Sequence, residues 1–402
     1  MDKVVFLDRD GTINEEVNYL YRPEDFRFLP GVPQALKMLT DAGFKLIVVT
    51  NQAGVARGYY TEEDVRNLHS YVNQLLEPYG TGIHGFYHCP HHPEHGLGQY
   101  KKDCRCRKPG IGLFRQAEAD TPVDKGHSYM IGDKLLDTQA GRCYGVPSIL
   151  VGTGYGAEAR RQSLSREYDH FAENLTEAAR WILQREKEKM AMNEMKYMEE
   201  LITRYPVLEP VKEHILAAYE IMKDCYENGG KLMAAGNGGS CADSEHIVGE
   251  LMKGFVKPRR ITAEFAEQLM AADPERGAKL ADKLQGGLPA IALTGHTGLT
   301  TAFLNDVDGD LIFAQQLNGF GKPGDVFLGL STSGNSKNVL YAMAVAKARG
   351  IKTIALTGRD GGEMGRKADA AIIVPETETY KIQELHLPIY HALCLMLEEH
   401  FF

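Results

Sequence analysis

Short apolar runs rich in β-branched residues alternate with amphipathic stretches along this 402-residue chain, and this alternation constrains the fold more than any other feature. In the first half, the apolar spacing of 31–42 and 61–76 indicates helices. Strands and helices in this order predict an α/β fold, with a parallel sheet covered by helices on both faces. Residues 84–109, rich in His, Cys, Pro and Gly, interrupt the alternation and are predicted to form no regular element. The strand candidates are 3–8, 45–50, 127–131 and 147–151.

The same alternation starts again in the second half, so that two doubly wound parallel-sheet domains are expected. The segment from Glu173 to about Glu200 is helical in pattern and highly charged, and it places the boundary near 185–192. One long surface helix inside a single domain is the alternative, but two complete strand sets disfavour it. The predicted domains are 1–187 and 192–402. The second set of strand candidates is 231–235, 289–294, 325–330, 352–357 and 370–374, with an inserted surface helix expected in 258–287.

Charge and composition restrict the partners and the compartment. A net charge of -9 argues against nucleic acid or an anionic membrane as partner, whereas a phosphorylated substrate needs only a local cluster of donors. The first residues enter a strand directly and contain no signal-peptide apolar region, and no apolar stretch reaches the ~18 residues of a membrane-spanning helix. Seven cysteines, an odd number, favour a reducing compartment. We therefore expect a cytoplasmic protein.

Two carboxylates, Asp8 and Asp10, stand where the first apolar run ends, which in an open parallel sheet is where ligands bind. The turn at Gly11-Thr12 allows Asp10 to lie over Asp8, so that one carboxylate can attack phosphorus while the other handles a proton. A divalent cation such as Mg²⁺ is needed where carboxylates meet phosphate. A solvated turn is the alternative interpretation of this pair.

Three further pieces follow in order along the first half: Thr50-Asn51 after a strand, Lys108 before Pro109-Gly110, and Gly132-Asp133-Lys134-x-x-Asp137 after another strand. With Asp8-x-Asp10 they resemble the four motifs of the haloacid dehalogenase superfamily of phosphatases. The resemblance implies a Rossmann-like domain in which Asp8 is the nucleophile that forms an aspartyl-phosphate. It implies that Asp10 is the general acid/base and that Thr50 and Lys108 bind the phosphoryl group. Mg²⁺ would be held by Asp8, Asp133 and the main-chain carbonyl of Asp10.

The irregular loop contains Cys89, His91, Cys104 and Cys106, a set of three thiols and one imidazole that suits a structural Zn²⁺ site. A disulfide or free thiols are the alternatives, and His92 and His95 are expected to be solvated. This loop resembles that of two related groups of phosphatases, the heptose 1,7-bisphosphate 7-phosphatases and the histidinol-phosphatases. The substrate-contact positions implied by the resemblance are Glu16, Val17, Asn18, Tyr19, Thr50, Asn51, Gln52, Ala53, Arg107, Lys108 and Lys134.

In the second half, two loops follow strand candidates and open helices. Gly236-Asn237-Gly238-Gly239-Ser240 offers helix N–H groups to an anion, and 331–336 adds hydroxyl groups that can surround a phosphate. His246 and Glu250 lie four residues apart on one helix face, which suits a metal pair, although a surface contact is the alternative. Gln383 and His391 are placed on a C-terminal helix that Pro388 should kink.

These features resemble the SIS family, specifically the phosphoheptose isomerases, and imply a flavodoxin-like domain that forms homo-tetramers. The resemblance implies a Zn²⁺ site formed by His246, Glu250, Gln383 and His391. It also implies that Glu250 is the general base and that His391 is its acid/base counterpart. Tyr380-Lys381 departs from the Asp-Arg expected at that position. The implied substrate-contact residues, beside Gln383, are Asn237, Gly238, Gly239, Ser240, Asn305, Asp306, Ser331, Thr332, Ser333 and Ser336.

Together the two resemblances predict a bifunctional enzyme of heptose biosynthesis for surface glycans, on the route to ADP- or GDP-heptose. It would isomerise sedoheptulose 7-phosphate to D-glycero-D-manno-heptose 7-phosphate, and remove the 7-phosphate from the corresponding 1,7-bisphosphate. A separate kinase would act between these steps. The alternatives are a histidinol-phosphatase-like enzyme joined to a non-catalytic sugar-phosphate-binding SIS module, and an isomerase of another sugar phosphate.

Overall fold

The computed structural model describes residues 1–163 and 167–402, which divide into two compact units, Met1–Glu188 and Lys189–Phe402. We call them the first unit and the second unit and describe each by itself. In the described residues, no helix combines the length and the apolar character needed to cross a membrane.

The first unit is built on a six-stranded, wholly parallel sheet in the order β3-β2-β1-β4-β5-β6. Its strands are β1 Val4–Leu7, β2 Lys45–Asn51, β3 Gly85–Cys89, β4 Tyr129–Gly132, β5 Ser148–Val151 and β6 His170–Ala172. Its helices are α1 Val32–Asp41, α2 Ala53–Ala56, α3 Glu62–Leu76, α4 Gly112–Asp120, α5 Leu135–Tyr144, α6 Gly156–Gln162 and the first part of α7 Leu175–Arg204. The four strands predicted in this half are confirmed.

Burial on both faces explains why these strands are apolar without interruption. In β1, Val5 and Leu7 pack into one core with residues of α1 and α3, whereas Val4 and Phe6 pack into a second core on the opposite face. Helix α3 begins with a capping box in which Thr61 and Asp64 exchange hydrogen bonds, so its start is encoded locally.

The prediction that 84–109 forms no regular element was wrong at its beginning. Gly85–Cys89 pairs with β2 as the edge strand β3, with Val49 opposite Tyr87. The strand is only half-buried up to Cys89, because an edge position needs fewer apolar residues than a central one, and its Gly, Tyr and His masked the pattern.

The second unit contains a five-stranded parallel sheet in the order β11-β10-β9-β7-β8, which is the strand order of flavodoxin-like folds. Its strands are β7 Leu232–Ala235, β8 Ala290–Ala292, β9 Val326–Ser331, β10 Lys352–Thr357 and β11 Ala370–Ile373. Its helices after α7 are α8 Lys212–Glu227, α9 Gly239–Met252, α10 Ala263–Ala272, α11 Gly277–Lys283, α12 Thr297–Asp306, α13 Ile312–Phe320, α14 Lys337–Ala348, α15 Gly362–Lys367 and α16 Thr379–Phe401. All five predicted strands are confirmed.

One detail differs from the expectations for this half, because the segment 258–287 forms two short helices, α10 and α11, rather than one. Helix α16 continues through Pro388 to Phe401, and a kink at Pro388 stays a prediction. The doubly wound α/β class of both domains is confirmed by the two all-parallel sheets.

Candidate active sites

In the first unit, the candidate site lies where the strand order reverses, between β1 and β4. Asp8 follows β1 and Asp133 follows β4, so the two carboxylates meet at the carboxyl edge of the sheet. A cavity of about 370 Å³ opens there. It is lined by Asp8, Asp10, Glu16, Asn18, Tyr19, Thr50, Asn51, Gln52, Ala53, Tyr60, Arg107, Lys108, Lys134, Leu136, Asp137 and Tyr155.

Lys108 is the central cation of this site. Its ammonium lies 2.7 Å from Asp8 Oδ1 and 2.7 Å from Asp137 Oδ1, and all three side chains are almost completely buried. Burial alone would lower the pKa of Lys108, but the carboxylates of Asp137 and Asp8 raise it above its usual value. Burial would conversely raise the pKa of Asp8, but Lys108 and Lys134 lower it. Asp8 is therefore held as a carboxylate, the form that a nucleophile requires.

Asp133 is the carboxylate whose charge is least compensated. Burial, and then the charge of Asp8, raise its pKa to about 8. Its Oδ2 accepts a hydrogen bond from the Tyr155 N–H at 2.9 Å, but its buried Oδ1 has no hydrogen-bond partner. The nearest cation to this oxygen is Lys134 at 3.9 Å. A carboxylate oxygen without a hydrogen bond beside Asp8 is the donor chemistry that Mg²⁺ prefers, so the residues present fit this ion.

Two glycines flank Asp133 and allow it to sit in this position. A Cβ atom at Gly11 or at Gly154 would overlap the Asp133 carboxylate, and both glycines have positive φ, 83° and 54°. The backbone therefore approaches the carboxylate more closely than any side chain would permit.

Asp10 is held by Arg9 and Asn14, which the sequence analysis did not assign, and by Gln52, which it assigned to the substrate. Arg9 donates to both of its carboxylate oxygens, at 3.0 and 2.9 Å, and Asn14 and Gln52 each donate at 3.0 Å. Tyr60 in turn donates to Gln52 Oε1 at 2.7 Å. Arg9 is only 1% exposed. In the sequence it stands between Asp8 and Asp10, directly after an apolar run, and a cation between two site carboxylates was the signal that could have pointed to this network.

The predicted substrate-contact residues mostly gather around the cavity. Lys134 donates to Glu16 Oε2 at 3.0 Å, and Arg107 and Asn18 line the opening. Tyr19 adopts φ 61°, which is uncommon for a residue other than glycine and accords with a functional position. Val17 is 42% exposed and is not among the lining residues.

The irregular loop brings thiols and an imidazole together. The ligand atoms of Cys89, His91 and Cys104 all lie within 4.8 Å of one another, and Cys89 Sγ is 3.8 Å from His91 Nδ1. Cys106 is outside this group, although its N–H donates to Cys104 Sγ at 3.4 Å. All seven cysteines are free, so the loop is not closed by a disulfide. Two thiols and one imidazole this close together fit a zinc ion.

In the second unit, the two predicted phosphate loops also meet at the point of strand reversal, after β7 and β9. Asn237 of the first loop and Asn338, in the first turn of α14 directly after the second loop, exchange two hydrogen bonds of 2.9 Å between their side-chain amides. Ser331 Oγ and Ser336 Oγ lie 2.9 Å apart within the second loop. Asn338 is a residue that the sequence analysis missed, because its partner lies far away along the chain.

His246, Glu250 and His391 come together between α9 and α16. His246 Nε2 lies 3.2 Å from Glu250 Oε1, and the rings of His246 and His391 are 5.0 Å apart. Burial lowers the pKa of His391, and its buried Nε2 has no hydrogen-bond partner. These atoms do not form a group as tight as the thiol loop, but two imidazole nitrogens and a carboxylate are ligands that suit Zn²⁺.

Three other predicted residues of the second unit lie elsewhere. Gln383 packs against Gly239 at the start of α9, about two turns before His246, and leaves no room there for a Cβ atom. Asn305 and Asp306 are exposed at the end of α12, and Asn305 donates to Asp306 at 2.8 Å. In the Tyr380-Lys381 pair, which replaces the expected Asp-Arg, Tyr380 is 57% exposed and Lys381 forms an ion pair with Glu378.

Known families match different parts of this chain. The HAD-hydrolase-like family matches residues 105–178, and the SIS domain family matches 196–286 and 275–358. A D-glycero-β-D-manno-heptose-1,7-bisphosphate 7-phosphatase of Haemophilus ducreyi is 48% identical over 38% of this chain and 84% of its own length. A phosphoheptose isomerase of Nitratiruptor is 41% identical over 52% of this chain and 97% of its own length.

The chain belongs to the heptose bisphosphate phosphatase family and to the phosphoheptose isomerase family. Both families are enzymes, and they cover different parts of the chain, so the protein is a fusion of a phosphatase-family unit with an isomerase-family unit. Among phosphatase relatives, one from Photorhabdus laumondii named for the α anomer is 44% identical over 84% of its length.

Solved structures of both families also resemble the chain. The phosphoheptose isomerase of Neisseria gonorrhoeae is 32% identical, with 54% of this chain and 98% of the other covered and a TM-score of 0.38. A heptose 1,7-bisphosphate phosphatase of B. bronchiseptica, complexed with magnesium and phosphate, is 32% identical, with 46% and 99% covered and a TM-score of 0.42.

Proposed function

We propose that the first unit removes the 7-phosphate from D-glycero-D-manno-heptose 1,7-bisphosphate and that the second unit converts sedoheptulose 7-phosphate into D-glycero-D-manno-heptose 7-phosphate. Membership of both families supports the pairing. The observation that carries the phosphatase assignment is Lys108, buried between Asp8 and Asp137, together with Asp133, which lies close to both carboxylates and whose Oδ1 accepts no hydrogen bond. For the isomerase, it is the meeting of His246, Glu250 and His391.

In the phosphatase reaction, an Asp8 oxygen attacks phosphorus and the bond from phosphorus to the sugar oxygen breaks. Asp10 gives a proton to the departing sugar oxygen, and it then takes one from the water that hydrolyses the aspartyl-phosphate. Lys108 and Thr50 stabilise the phosphoryl oxygens. Mg²⁺, held by Asp8, Asp133 and the Asp10 carbonyl, would supply positive charge to the phosphoryl group.

In the isomerase reaction, Glu250 takes the proton from the carbon beside the carbonyl of the ketose and returns it to the neighbouring carbon. His391 moves the matching proton between the two oxygens, so that an enediol lies between ketose and aldose. The loops that carry Asn237 and Ser331 hold the phosphate through hydroxyl and main-chain N–H groups. Zn²⁺, held by His246, Glu250 and His391, would polarise the carbonyl, whereas Gln383, which the resemblance adds to this set, lies beside Gly239 in this structure.

The two steps are not consecutive. The isomerase product carries one phosphate and the phosphatase substrate carries two, so a kinase acting on the anomeric hydroxyl has to work between them. We propose that this kinase is a separate protein. Relatives named for both the β and the α anomer resemble the first unit, so both bisphosphates belong in the assay.

Several accompanying proposals rest on single features. Domain limits of 1–187 and 192–402 are supported by the division at Glu188.

A homo-tetramer assembled through the second unit is supported by α10 and α12, which bury no residue within the chain, and light scattering would test it. A structural zinc in the thiol loop is supported by Cys89, His91 and Cys104. A cytoplasmic location is supported by seven free thiols.

The test supplies sedoheptulose 7-phosphate to the purified chain, first alone and then with a heptose 7-phosphate kinase and ATP. Aldose formation and phosphate release are followed separately. We expect aldose without the kinase and phosphate only with it. In this coupled assay the Asp8→Asn variant should lose phosphate release alone, whereas Glu250→Gln should lose aldose formation and, with it, the phosphate release that depends on the aldose. Supplied directly with the heptose bisphosphate, Glu250→Gln should release phosphate at the wild-type rate. Phosphate from sedoheptulose 7-phosphate itself would contradict the first assignment, and absence of aldose with zinc present would contradict the second.

A further inference from the structure

An unassigned chain of hydrogen bonds lies behind His246. Its Nδ1 is 3.0 Å from the Tyr390 hydroxyl, and the Tyr390 hydroxyl donates to Asp243 Oδ1 at 3.2 Å. Tyr390 is 1% exposed, and the same His246 ring faces Glu250 with its other nitrogen. Asp243, Tyr390, His246 and Glu250 thus form one continuous row of polar contacts between α9 and α16.

Counting the protons in this row fixes the role of each nitrogen. An ionised carboxylate can only accept, so the single O–H of Tyr390 is directed to Asp243. The oxygen of Tyr390 then faces Nδ1 with its lone pairs, and the contact requires that Nδ1 carries a proton. In a neutral imidazole, Nε2 is consequently the nitrogen with the free lone pair.

The free lone pair meets a carboxylate oxygen. Nε2 and Glu250 Oε1 are 3.2 Å apart, and two acceptors at this distance repel one another unless a proton or a metal ion lies beside both. Nε2 therefore carries either a proton or a metal ion. In both of these states Nδ1 keeps its proton.

We propose that Tyr390 and Asp243 act as positioning residues that hold His246 with its proton on Nδ1, so that Nε2 is presented as a metal ligand beside Glu250. The inference rests on the zinc-dependent isomerase function proposed above. Ligand imidazoles are commonly oriented through a hydrogen bond from their second nitrogen, and removal of such a partner typically weakens metal binding by ~10–100-fold.

The experiment measures metal affinity of the full chain rather than its turnover. The metal-free protein is titrated with Co²⁺ against a competing chelator. Cobalt bound to thiolates absorbs strongly through sulfur charge transfer, which identifies the thiol loop. The titrations are made in an Asp133→Asn background, so that the carboxylate site of the first unit does not add to the signal of the histidine site. Tyr390→Phe, which removes one oxygen atom, should weaken the histidine site by ~10–100-fold and leave the thiol site unchanged.

Two further variants keep the result interpretable. Asp243→Asn lets the Tyr390 O–H turn to Nδ1, so it should weaken the same site, and adding it to Tyr390→Phe should cause no further loss because both act through one row. Tyr219→Phe is the matched control, since it removes another buried hydroxyl, 2.6 Å from Glu194, in the same unit. It should leave cobalt binding unchanged.

The outcomes separate the two proposals. If the wild-type histidine site binds no metal, the zinc-dependent function fails and the positioning role fails with it. If the wild type binds Co²⁺ and Tyr390→Phe binds equally well, only the positioning role is overturned. Equal weakening by Tyr390→Phe and Tyr219→Phe would overturn it as well, because the effect would then be general loosening of the unit.

Discussion

At the scale of single residues, charge in the first unit is arranged around one lysine. Lys108 offsets two buried carboxylates, whereas Asp133 Oδ1 accepts no hydrogen bond and has Lys134 as a counter-ion at 3.9 Å. Arrangements in which one buried group is only partly compensated are typical of active sites rather than of purely structural ion pairs. Removing the charge of Lys108 should therefore slow phosphate release.

Lys108→Met should reduce phosphate release by ~10²–10³-fold, because a preorganised charge at the phosphoryl group is lost. Initial rates with the heptose bisphosphate provide the measurement. Lys125→Met removes an exposed lysine paired with Glu118 in the same unit and is the control expected to retain the wild-type rate. A Lys108→Met enzyme with the wild-type rate would contradict the role assigned to this residue.

A second residue-scale prediction concerns His69. Burial, together with the charge of Arg9, lowers its pKa to about 2, so the folded protein keeps it neutral where the unfolded chain, with a pKa near 6.5, takes up a proton. Since the unfolded state binds more protons between these values, stability falls as the pH decreases from about 6.5 towards 2.

His69→Gln should therefore flatten this dependence of the free energy of unfolding by up to ~1.4 kcal/mol per pH unit. Urea unfolding at pH 5 to 6.5, followed by the fluorescence of Trp181, reports on the first unit, because Trp181 is the single tryptophan of the chain. His84→Gln, at an exposed position, is the control. An unchanged slope in His69→Gln would show that this histidine is not the group responsible.

At the scale of elements, a buried ion pair connects the C-terminal end of α9 with the C-terminal part of α16, the two helices of the candidate site in the second unit. Glu398 near the end of α16 accepts from Arg259 Nε at 2.8 Å and from the N–H groups of Phe255, Val256 and Lys257. Arg259 also donates to the last carbonyls of α9, including that of Glu250. The end of α9, which carries the proposed base, is thereby tied to α16.

Glu398→Gln should destabilise the second unit by ~3–5 kcal/mol, because Arg259 would be left buried without its counter-ion. Urea unfolding followed by circular dichroism measures this, and Trp181 fluorescence identifies the separate transition of the first unit. Glu363→Gln breaks an exposed pair with Lys367 and should cost less than ~1 kcal/mol. Similar losses in both variants would mean that burial adds nothing to the value of the first pair.

The thiol loop provides another prediction for an element. Cys104→Ser should lower the zinc content of the chain by one ion and raise the KM for the heptose bisphosphate, since this loop leads directly to Arg107 and Lys108. Isomerisation should be unaffected. Elemental analysis and both rate assays provide the measurements, with Cys143→Ser, at an exposed position outside the loop, as control. Unchanged zinc content would contradict a metal at Cys104.

Elements and motifs differed in how far the sequence could predict them. Central strands such as β1 and β9 are buried on both faces, so their composition alone reveals them. The edge strand β3 carries no such signal. Likewise, Asp8, Lys108 and His246 stand in local motifs, whereas Asn338 and Tyr390 acquire their roles from partners about a hundred or more residues away, Asn237 and Asp243. Such contacts exist only after folding.

At the scale of the whole molecule, two family units with separate sites share one chain. If their reactions are those proposed, a phosphorylation by the proposed separate kinase lies between them, so the intermediate would leave the protein and return. Joining them fixes their stoichiometry at one to one, and it gives no reason for direct transfer of the intermediate.

This view predicts the behaviour of mixed variants. An equimolar mixture of Asp8→Asn and Glu250→Gln, at twice the total concentration, should match the wild-type rate of phosphate release from sedoheptulose 7-phosphate with kinase and ATP. Each mixture then contains the wild-type number of both working sites. A mixture that is several-fold slower at equal site concentrations would indicate transfer within one chain.

The glycines around Asp133 also bear on how the protein can evolve. A Cβ atom at Gly11 or Gly154 would overlap the carboxylate of Asp133, and each glycine has a backbone conformation that disfavours other residues. Neither glycine needs to contact a substrate, yet each has a single permitted amino acid for as long as Asp133 is kept. In a saturation library selected for phosphatase activity, these two positions should be as intolerant as the nucleophile, although their own atoms take no part in the reaction.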